Sequence, residues 1–322
     1  MDERLILELK KSDYESYDYR EFWEDDKRAY EDASERLALG KLFKGVKKTG
    51  TIIDIGCGYG RLFNEYKDYD RIIMLDYSLN NLKNIKNTVQ NYLKQDKGKF
   101  NKVYFVAADA TNLPFKDVIT DTAISVRIVH HLDNPEKFIS ETGRILKNEG
   151  LFILEFANKR NLKNIIKFLL GKLKQSPFSP EPYMIGETIQ DNHPEVIINF
   201  FKKYGFKVKK IISVSNLRAG FLKRKLKLQN LLKLENISQI LFSLSKLGPS
   251  IFIKAFIYKN DNKNIEEKTP ENFEDLLLCP NCRDANNKLT ITGNLIICRS
   301  CGTKFNITDG IYDLRILKEN IV

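Results

Sequence analysis

Residues 51–60, TIIDIGCGYG, constrain the fold more than any other part of the chain. An apolar run of strand length stops abruptly at a glycine-rich turn. A strand without polar alternation is buried on both faces, which requires helices above and below a parallel sheet. The next hundred residues agree with that demand. RIIMLD, KVYFVAAD, DTAISVRIV and LFILEF read as further strands. Between them lie helical stretches: RLFNEYK, SLNNLKNIKNTVQNYLK opened by Ser78, and NPEKFISETGRILK with Asn134 as cap and Pro135 at its first position. This alternation predicts β-α-β units in a doubly wound, mostly parallel, Rossmann-like α/β sheet of seven strands.

Four regions are expected. Residues 1–48 read as an N-terminal helical cap, with SDYESYDYREFW leading into RAYEDASERLALGKLFKGV. Residues 49–258 form the α/β domain, within which 159–250 is a basic lobe or lid. The polar stretch 259–272 is a linker, and 273–322 is a small C-terminal domain expected to contact the α/β domain. In the basic lobe, NLKNIIKFLLGKLK and residues 221–247 read as amphipathic helices, PEVIINFFKKYG as a helix stopped by Gly205, and FKVKKIISVS and GPSIFIKAFIYK as strands.

Charge is concentrated. The whole chain carries +11, yet residues 1–158 hold 25 Lys/Arg against 27 Asp/Glu. Residues 159–259 hold 20 Lys/Arg against five Asp/Glu. Such a field favours an anionic or amphipathic partner such as RNA, a phosphorylated substrate or an acidic lipid surface. Lysines decorating solvated helices are the plain alternative. The start MDERLILELKK lacks a signal-peptide core, and no apolar run approaches bilayer length, so a cytoplasmic protein without a transmembrane segment is expected.

The turn DIGCGYG has the spacing G-x-G-x-G, not the G-x-G-x-x-G of nicotinamide-binding proteins, and lacks the Lys-Ser/Thr of a phosphate-binding loop. A glycine-rich turn alone is often only a turn. Two acids extend the pattern. Asp76 ends the second strand, where a carboxylate accepts from ribose hydroxyls. Asp109 ends the third, where it accepts from an exocyclic amine while the Ala110 N–H meets a ring nitrogen. Either acid alone reads as a cap; three features at three successive strand ends read as a site.

These segments, TIIDIGCGYGR, IMLDYS, VAADATNLPF and TDTAISVRIVHHLDNPEKFISETGRILKNEGLFILEF, resemble class I S-adenosylmethionine-dependent methyltransferases of the quinone-biosynthesis and small-molecule group. The resemblance implies S-adenosylmethionine as cofactor. It places Asp54, Gly56, Cys57, Gly58 and Gly60 around the methionine part, Asp76 and Tyr77 at the ribose, Asp109 and Ala110 at the adenine, and Arg127 in the cleft wall. Asn148-Glu149-Gly150 stands where the family has a Pro-Gly-Gly turn. His130 and His131 follow the fourth strand and are the catalytic candidates, as base or as orienter of the acceptor, with packing or capping as the alternative for each. His193 is a further candidate to face the acceptor. No Asn/Asp-Pro-Pro-Tyr/Phe motif of amide or base-nitrogen methylation follows the fourth strand, and no cysteine is placed for a C5-pyrimidine adduct.

Cys279, Cys282, Cys298 and Cys301 have the spacing C-x2-C-x15-C-x2-C. Four thiolates in two knuckles suit tetrahedral, closed, structural zinc. LLLCPNCRD and LIICRSCGTKFNITDGI resemble the small zinc-binding activator subunit of several tRNA, rRNA and release-factor methyltransferases, with Tyr312 where that family has Pro. The resemblance implies a ribbon that pairs with the edge of the catalytic sheet. The expected function is therefore methyl transfer to an unidentified acceptor, either RNA, including a tRNA carboxylate, or a lipid or quinone-like small molecule. The competing class is a non-catalytic, methyltransferase-like module that binds RNA or protein.

Overall fold

The structure is a computed structural model that describes residues 28–95, 102–186, 189–259, 270–286 and 288–317. The expected Tyr- and acid-rich start of the N-terminal cap, and most of the 259–272 linker, lie outside the described residues.

The chain enters through α1 (Ala29–Phe43) and runs β1 (Thr51–Ile55), β2 (Arg71–Asp76), α2 (Leu79–Gln95), β3 (Val103–Ala107), β4 (Thr120–Ser125), α3 (Pro135–Ile145) and β5 (Leu146–Ala157). It continues through α4 (Leu162–Leu169), β6 (Tyr183–Ile185), β7 (Ile189–Asp191), α5 (Pro194–Lys203), β8 (Phe206–Val214), α6 (Gly220–Lys225), α7 (Leu228–Ser245) and β9 (Ser250–Ile257). The last strands are β10 (Leu289–Thr292), β11 (Leu295–Cys298), β12 (Lys304–Thr308) and β13 (Ile311–Asp313).

The fold is the Rossmann-like methyltransferase fold, with strand order β3-β2-β1-β4-β5-β9-β8. The first five strands are parallel, and β9 runs antiparallel between β5 and β8. Every residue of β1 and β2 is buried, as their unbroken apolar sequence requires. The caps read from sequence form as expected: Asn134 accepts from the Lys137 N–H, and Ser78 Oγ accepts from the Asn81 N–H. RLFNEYK is not an α-helix; only Phe63–Glu65 make a 3-10 turn. Its Tyr66 is drawn fully into the core, where its hydroxyl donates to Asp54.

The seven expected strands form, and the tail extends them: β13 pairs in parallel with the β3 edge and carries β12, β11 and β10 with it, which makes one sheet of eleven strands. The cysteine-bearing tail is thus continuous with the main sheet. Its Ile296, Phe305 and Cys298 belong to the same buried cluster as Phe138 and Phe152. Much of the basic segment 159–250 packs into the same sheet. β8 is an integral sheet strand, paired with β9, and α5 and α7 pack on β8. The apolar faces of β8 and α5 fill one face of the core, with Phe152, Phe201 and Phe206 in mutual ring contact. The described residues of 159–192 leave the sheet as an excursion. It is tied down by buried Lys159, whose ammonium donates to Ser179 O at 3.0 Å and Ser179 Oγ at 2.7 Å.

Phe273 joins the tail to the sheet. It is 2% exposed and stacks on Tyr104 of β3 with centroids 4.0 Å apart. Phe273→Ala is expected to cost about 3–5 kcal/mol in chemical denaturation. A loss below about 1 kcal/mol would mean the tail is energetically peripheral.

Candidate cofactor site and cysteine cluster

The strand order reverses at β1, whose neighbours are β2 and β4. Successive connections leave β1 in opposite directions there, so a crevice opens at the carboxyl ends of the strands. A cavity of about 180 Å³ occupies it. Its lining includes eight of the residues expected from sequence: Gly56, Gly58, Asp76, Tyr77, Asp109, Ala110, Arg127 and His131. Sequence reading missed Leu75, Asn81, Ala108, Val126, Ile128 and Leu132, which complete the wall. Most are apolar residues that read simply as strand.

The glycine turn is held from both sides. Gly56 has φ +78°, and a Cβ there would lie 2.0 Å from Ile128 Cγ2. Only glycine lets the β1 and β4 loops approach so closely. The Gly56 and Cys57 N–H groups donate to Leu75 O at 2.7 and 3.0 Å. Asp76 then spans the crevice floor. Its Oδ2 accepts from the Gly58 N–H at 2.8 Å, and its Oδ1 accepts from the Ser78 N–H at 2.9 Å and Asn81 Nδ2 at 3.3 Å. Asp109 Oδ1 accepts from Thr111 N–H and Oγ1, both at 2.8 Å, which fixes the next loop.

Asp54, Cys57 and Gly60 lie apart from the main cavity. Asp54 and Cys57 line a smaller neighbouring space, with Arg61 and Leu62. Gly60 lies against α2, where a Cβ would sit 1.9 Å from Ile85 Cδ1. Burial pushes the Asp54 carboxyl up to about 7, against the Tyr66 hydroxyl bond, with the nearby Asp76 charge adding to the rise. Burial, then the Asp76 and Asp54 charges, push the Cys57 thiol up, which keeps it protonated and a poor nucleophile.

A charge network locks α1 over this turn. Glu35 is fully buried, and its carboxylate accepts from Arg61 Nη2 at 2.5 Å and Arg127 Nε at 2.8 Å. Burial would raise its pKa, but Arg127 and Arg61 outweigh that and hold it below the usual carboxylate range. Arg127 has φ +65°, a left-handed backbone that is unfavourable for a residue with a Cβ, and its N–H donates to buried Glu155 Oε2 at 2.7 Å. Sequence reading missed both Arg61 and Glu35; the place of Arg61 directly after the glycine turn is a signal that could have found it, and Glu35 carries none.

The two histidines share a 3-10 turn, Val129–His131, with ring centroids 4.1 Å apart. His131 lines the cavity. His130 lies behind it, and its buried Nδ1 has no hydrogen-bond partner among the described residues. Burial, with His131 and Arg127 beside it, holds His130 well below 6.5 and therefore neutral. His193 caps α5, its Nδ1 accepting from the Glu195 N–H at 3.3 Å.

The four tail cysteines converge, with all Sγ atoms within 4.8 Å of one another. The Cys279–Cys301 and Cys282–Cys298 sulfurs are 3.8 and 3.5 Å apart. Tetrahedral thiolates at a zinc–sulfur distance of about 2.3 Å are separated by about 3.8 Å, so the set fits that ion. The tail also touches the cavity wall. Arg315 donates to Tyr77 O at 3.1 Å and lies over the Tyr77 ring at 5.5 Å. Arg283, one residue beyond Cys282, binds Asn112 Oδ1 at 2.6 Å and Glu141 at 2.9 and 3.0 Å.

With this geometry in place, comparison with known proteins is decisive for the central part of the chain. The family model of the methyltransferase domain matches residues 53–154. The chain carries a methyltransferase domain. An uncharacterised protein of Methanocaldococcus jannaschii is 34% identical over 139 residues, covering 43% of this chain and 55% of that one. An uncharacterised chloroplast methyltransferase of Arabidopsis thaliana is 26% identical, covering 46% and 43%. The ubiquinone/menaquinone biosynthesis C-methyltransferase of Campylobacter jejuni is 27% identical, covering 41% and 60%. The chain spans about half the length of the curated relatives it matches. Among solved structures, a Listeria monocytogenes protein described as an S-adenosylmethionine-dependent methyltransferase superposes with TM-score 0.51 at 16% identity, covering 72% of this chain and all of that one.

The raised Asp54 pKa has a consequence for stability. The folded protein keeps this proton up to about pH 7, whereas an unperturbed Asp loses it near 3.8. The native state thus binds more protons between those values, and its stability falls as pH rises from 4 to 7. Asp54→Asn keeps an acceptor for Tyr66 without the charge. It is expected to raise the melting temperature at pH 8 and leave it unchanged at pH 4; equal effects at both pH values would contradict the buried-charge account.

Proposed function

We propose that this protein transfers a methyl group from S-adenosylmethionine to an acceptor with a nucleophilic atom. The observation that carries the reading is the cavity at the strand reversal, with Asp76 and Asp109 at successive strand ends and the positive-φ Gly56 beneath it. Asp76 and Tyr77 would hold the ribose, Asp109 and Ala110 the adenine, and the Gly56–Gly58 turn the methionine part. The cofactor supplies an electrophilic methyl group on a sulfonium.

This chain's own contribution is placement and exclusion of water. Ile128, Val126 and Leu132 give the cavity an apolar wall beside His131. His131 is the histidine with access to an acceptor, as base or hydrogen-bond partner. His130 stays neutral behind it and supports its orientation through ring contact. Arg127, occupied by Glu35, sets the shape of the wall rather than attacking or donating. The acceptor classes that fit are RNA, including a tRNA carboxylate, and a lipid or quinone-like molecule. We further propose that the four cysteines hold one structural zinc, so that the tail stabilises the sheet edge and the cavity wall.

Calorimetric titration of the purified protein with S-adenosylmethionine tests the cofactor reading. Binding is expected, and Asp76→Ala should weaken it roughly tenfold or more, as loss of a charge-assisted hydrogen bond requires. A folded protein that binds none would favour the non-catalytic module. Transfer of labelled methyl to fractionated RNA and lipid then separates the acceptor classes. Elemental analysis should find about one zinc per chain. Replacing Cys298 and Cys301 by Ser should release it and lower the melting temperature; retention of both would overturn the zinc assignment.

A further inference from the structure

Helix α7 is packed inside out. Its buried residues are Leu231, Glu235 and Gln239. The two polar ones are held by α1: Tyr30 Oη donates to Glu235 Oε2 at 2.6 Å, Gln239 Nε2 donates to Ser34 O at 2.9 Å, and Lys41 Nζ donates to Gln239 Oε1 at 2.9 Å. Most of its aliphatic residues other than Leu231 lie outside that face. Ile240, Leu241 and Leu244 are 66%, 63% and 88% exposed. A helix on the surface of a soluble domain does the reverse. Helix α4 buries none of its residues, and Leu169 and Leu170 at its end are 74% and 63% exposed.

The two helices meet. Leu162 N–H donates to Leu247 O at 2.9 Å, and Arg160 Nη2 donates to Ser245 O at 3.0 Å. The start of α4 therefore borders the end of α7, and their exposed aliphatic residues lie on neighbouring helices. Large aliphatic side chains left in water on two neighbouring helices mark a contact with something apolar.

Charge identifies the occupant. Residues 161–180 and 196–234 contain no Asp or Glu. The one acid of α7, Glu235, is spent on Tyr30 and Asn216. Lys163 and Lys167 of α4, Lys233 of α7 and Lys227 just before α7 are exposed on the same elements as the aliphatic residues. Exposed aliphatic side chains that share their elements with lysines match the boundary between acyl chains and anionic headgroups. RNA would gain little from exposed Leu and Ile, since single strands bind through stacking on aromatic rings. A second copy of the same face would set lysine against lysine.

We propose that α4 and α7 dock this protein on the surface of an anionic lipid bilayer, with Leu169, Leu170, Ile240, Leu241 and Leu244 entering the headgroup boundary. Helix α4 departs from the carboxyl end of β5, the sheet edge on which the cofactor cavity opens. Docking does not depend on the reaction at that cavity. No helix among the described residues is long and apolar enough to cross a membrane, so the contact is peripheral.

Flotation of the full chain with vesicles tests this. Vesicles of phosphatidylcholine containing phosphatidylglycerol are expected to carry the protein, pure phosphatidylcholine vesicles to carry roughly tenfold less, and high salt to release it. Two variants, Leu241→Gln with Leu244→Gln and Leu169→Gln with Leu170→Gln, should each lose about tenfold in vesicle affinity with unchanged melting temperature and unchanged S-adenosylmethionine binding. Failure to float with anionic vesicles, or variants that float as well as the parent, would overturn the proposal. So would self-association, or RNA retention, that the same variants abolish. Loss of cofactor binding in the parent would count against the methyltransferase reading and leave the docking result standing.

Discussion

The reversal of strand order between β2 and β4, with β1 between them, is the constraint on which the site depends. Because the chain leaves β1 toward one side and returns on the other, no connection can fill the gap above its end. The residues at that gap must then turn tightly, and the turn must be held without a side chain in the way. Gly56 meets the first demand. Asp76 meets the second, joining the end of β2 to the turn after β1 through the Gly58 N–H. A carboxylate fixed by three donors is also a carboxylate already oriented for a ligand. The scaffold and the candidate binding group are the same residue.

The parts legible in the sequence were those whose signal is local. TIIDIG announces a buried strand and its turn within six residues. Ser78 and Asn134 announce helix starts within four, and the cysteine pairs announce a metal-sized cluster within twenty-three. What escaped was set by contacts between distant residues. Glu35 lies 92 residues from Arg127, and nothing in a charged helix of the cap marks one acid as the counter-ion of a cavity wall. His130 and His131 are indistinguishable in sequence, yet one lines the cavity and the other lies behind it. The run at 221–247 looks like any amphipathic stretch, because periodicity tells which residues share a face and not which face is inside.

The network around Glu35 shows why the cap and the site are one object. Two guanidinium groups converge on a single buried carboxylate. Removing that carboxylate would take from both cations a buried counter-ion, leaving Arg61 its pair with Asp32, a loss of up to about 3–5 kcal/mol for a broken buried pair. Helix α1 is therefore held to the glycine turn by electrostatics as well as by its apolar residues Leu39 and Leu42. The same helix supplies Tyr30 and Ser34 to α7. It thus links the cavity wall on one side to the basic, apolar-faced helix on the other.

The pairing of β13 with β3 has a bearing on the order of synthesis. Strand β3 is finished by residue 107, but its outer edge is capped by residues 311–313, some two hundred positions later. Until then the nascent chain carries an open, fully formed β edge, the kind of surface on which unrelated strands add and aggregate. Arg315, which braces Tyr77 of the cavity, arrives later still. A ribosome that stopped short of the tail would release a protein with most of its α/β core, an open β3 edge and a Tyr77 without Arg315 against it. The closing of the edge and the bracing of Tyr77 thus come from the same late segment.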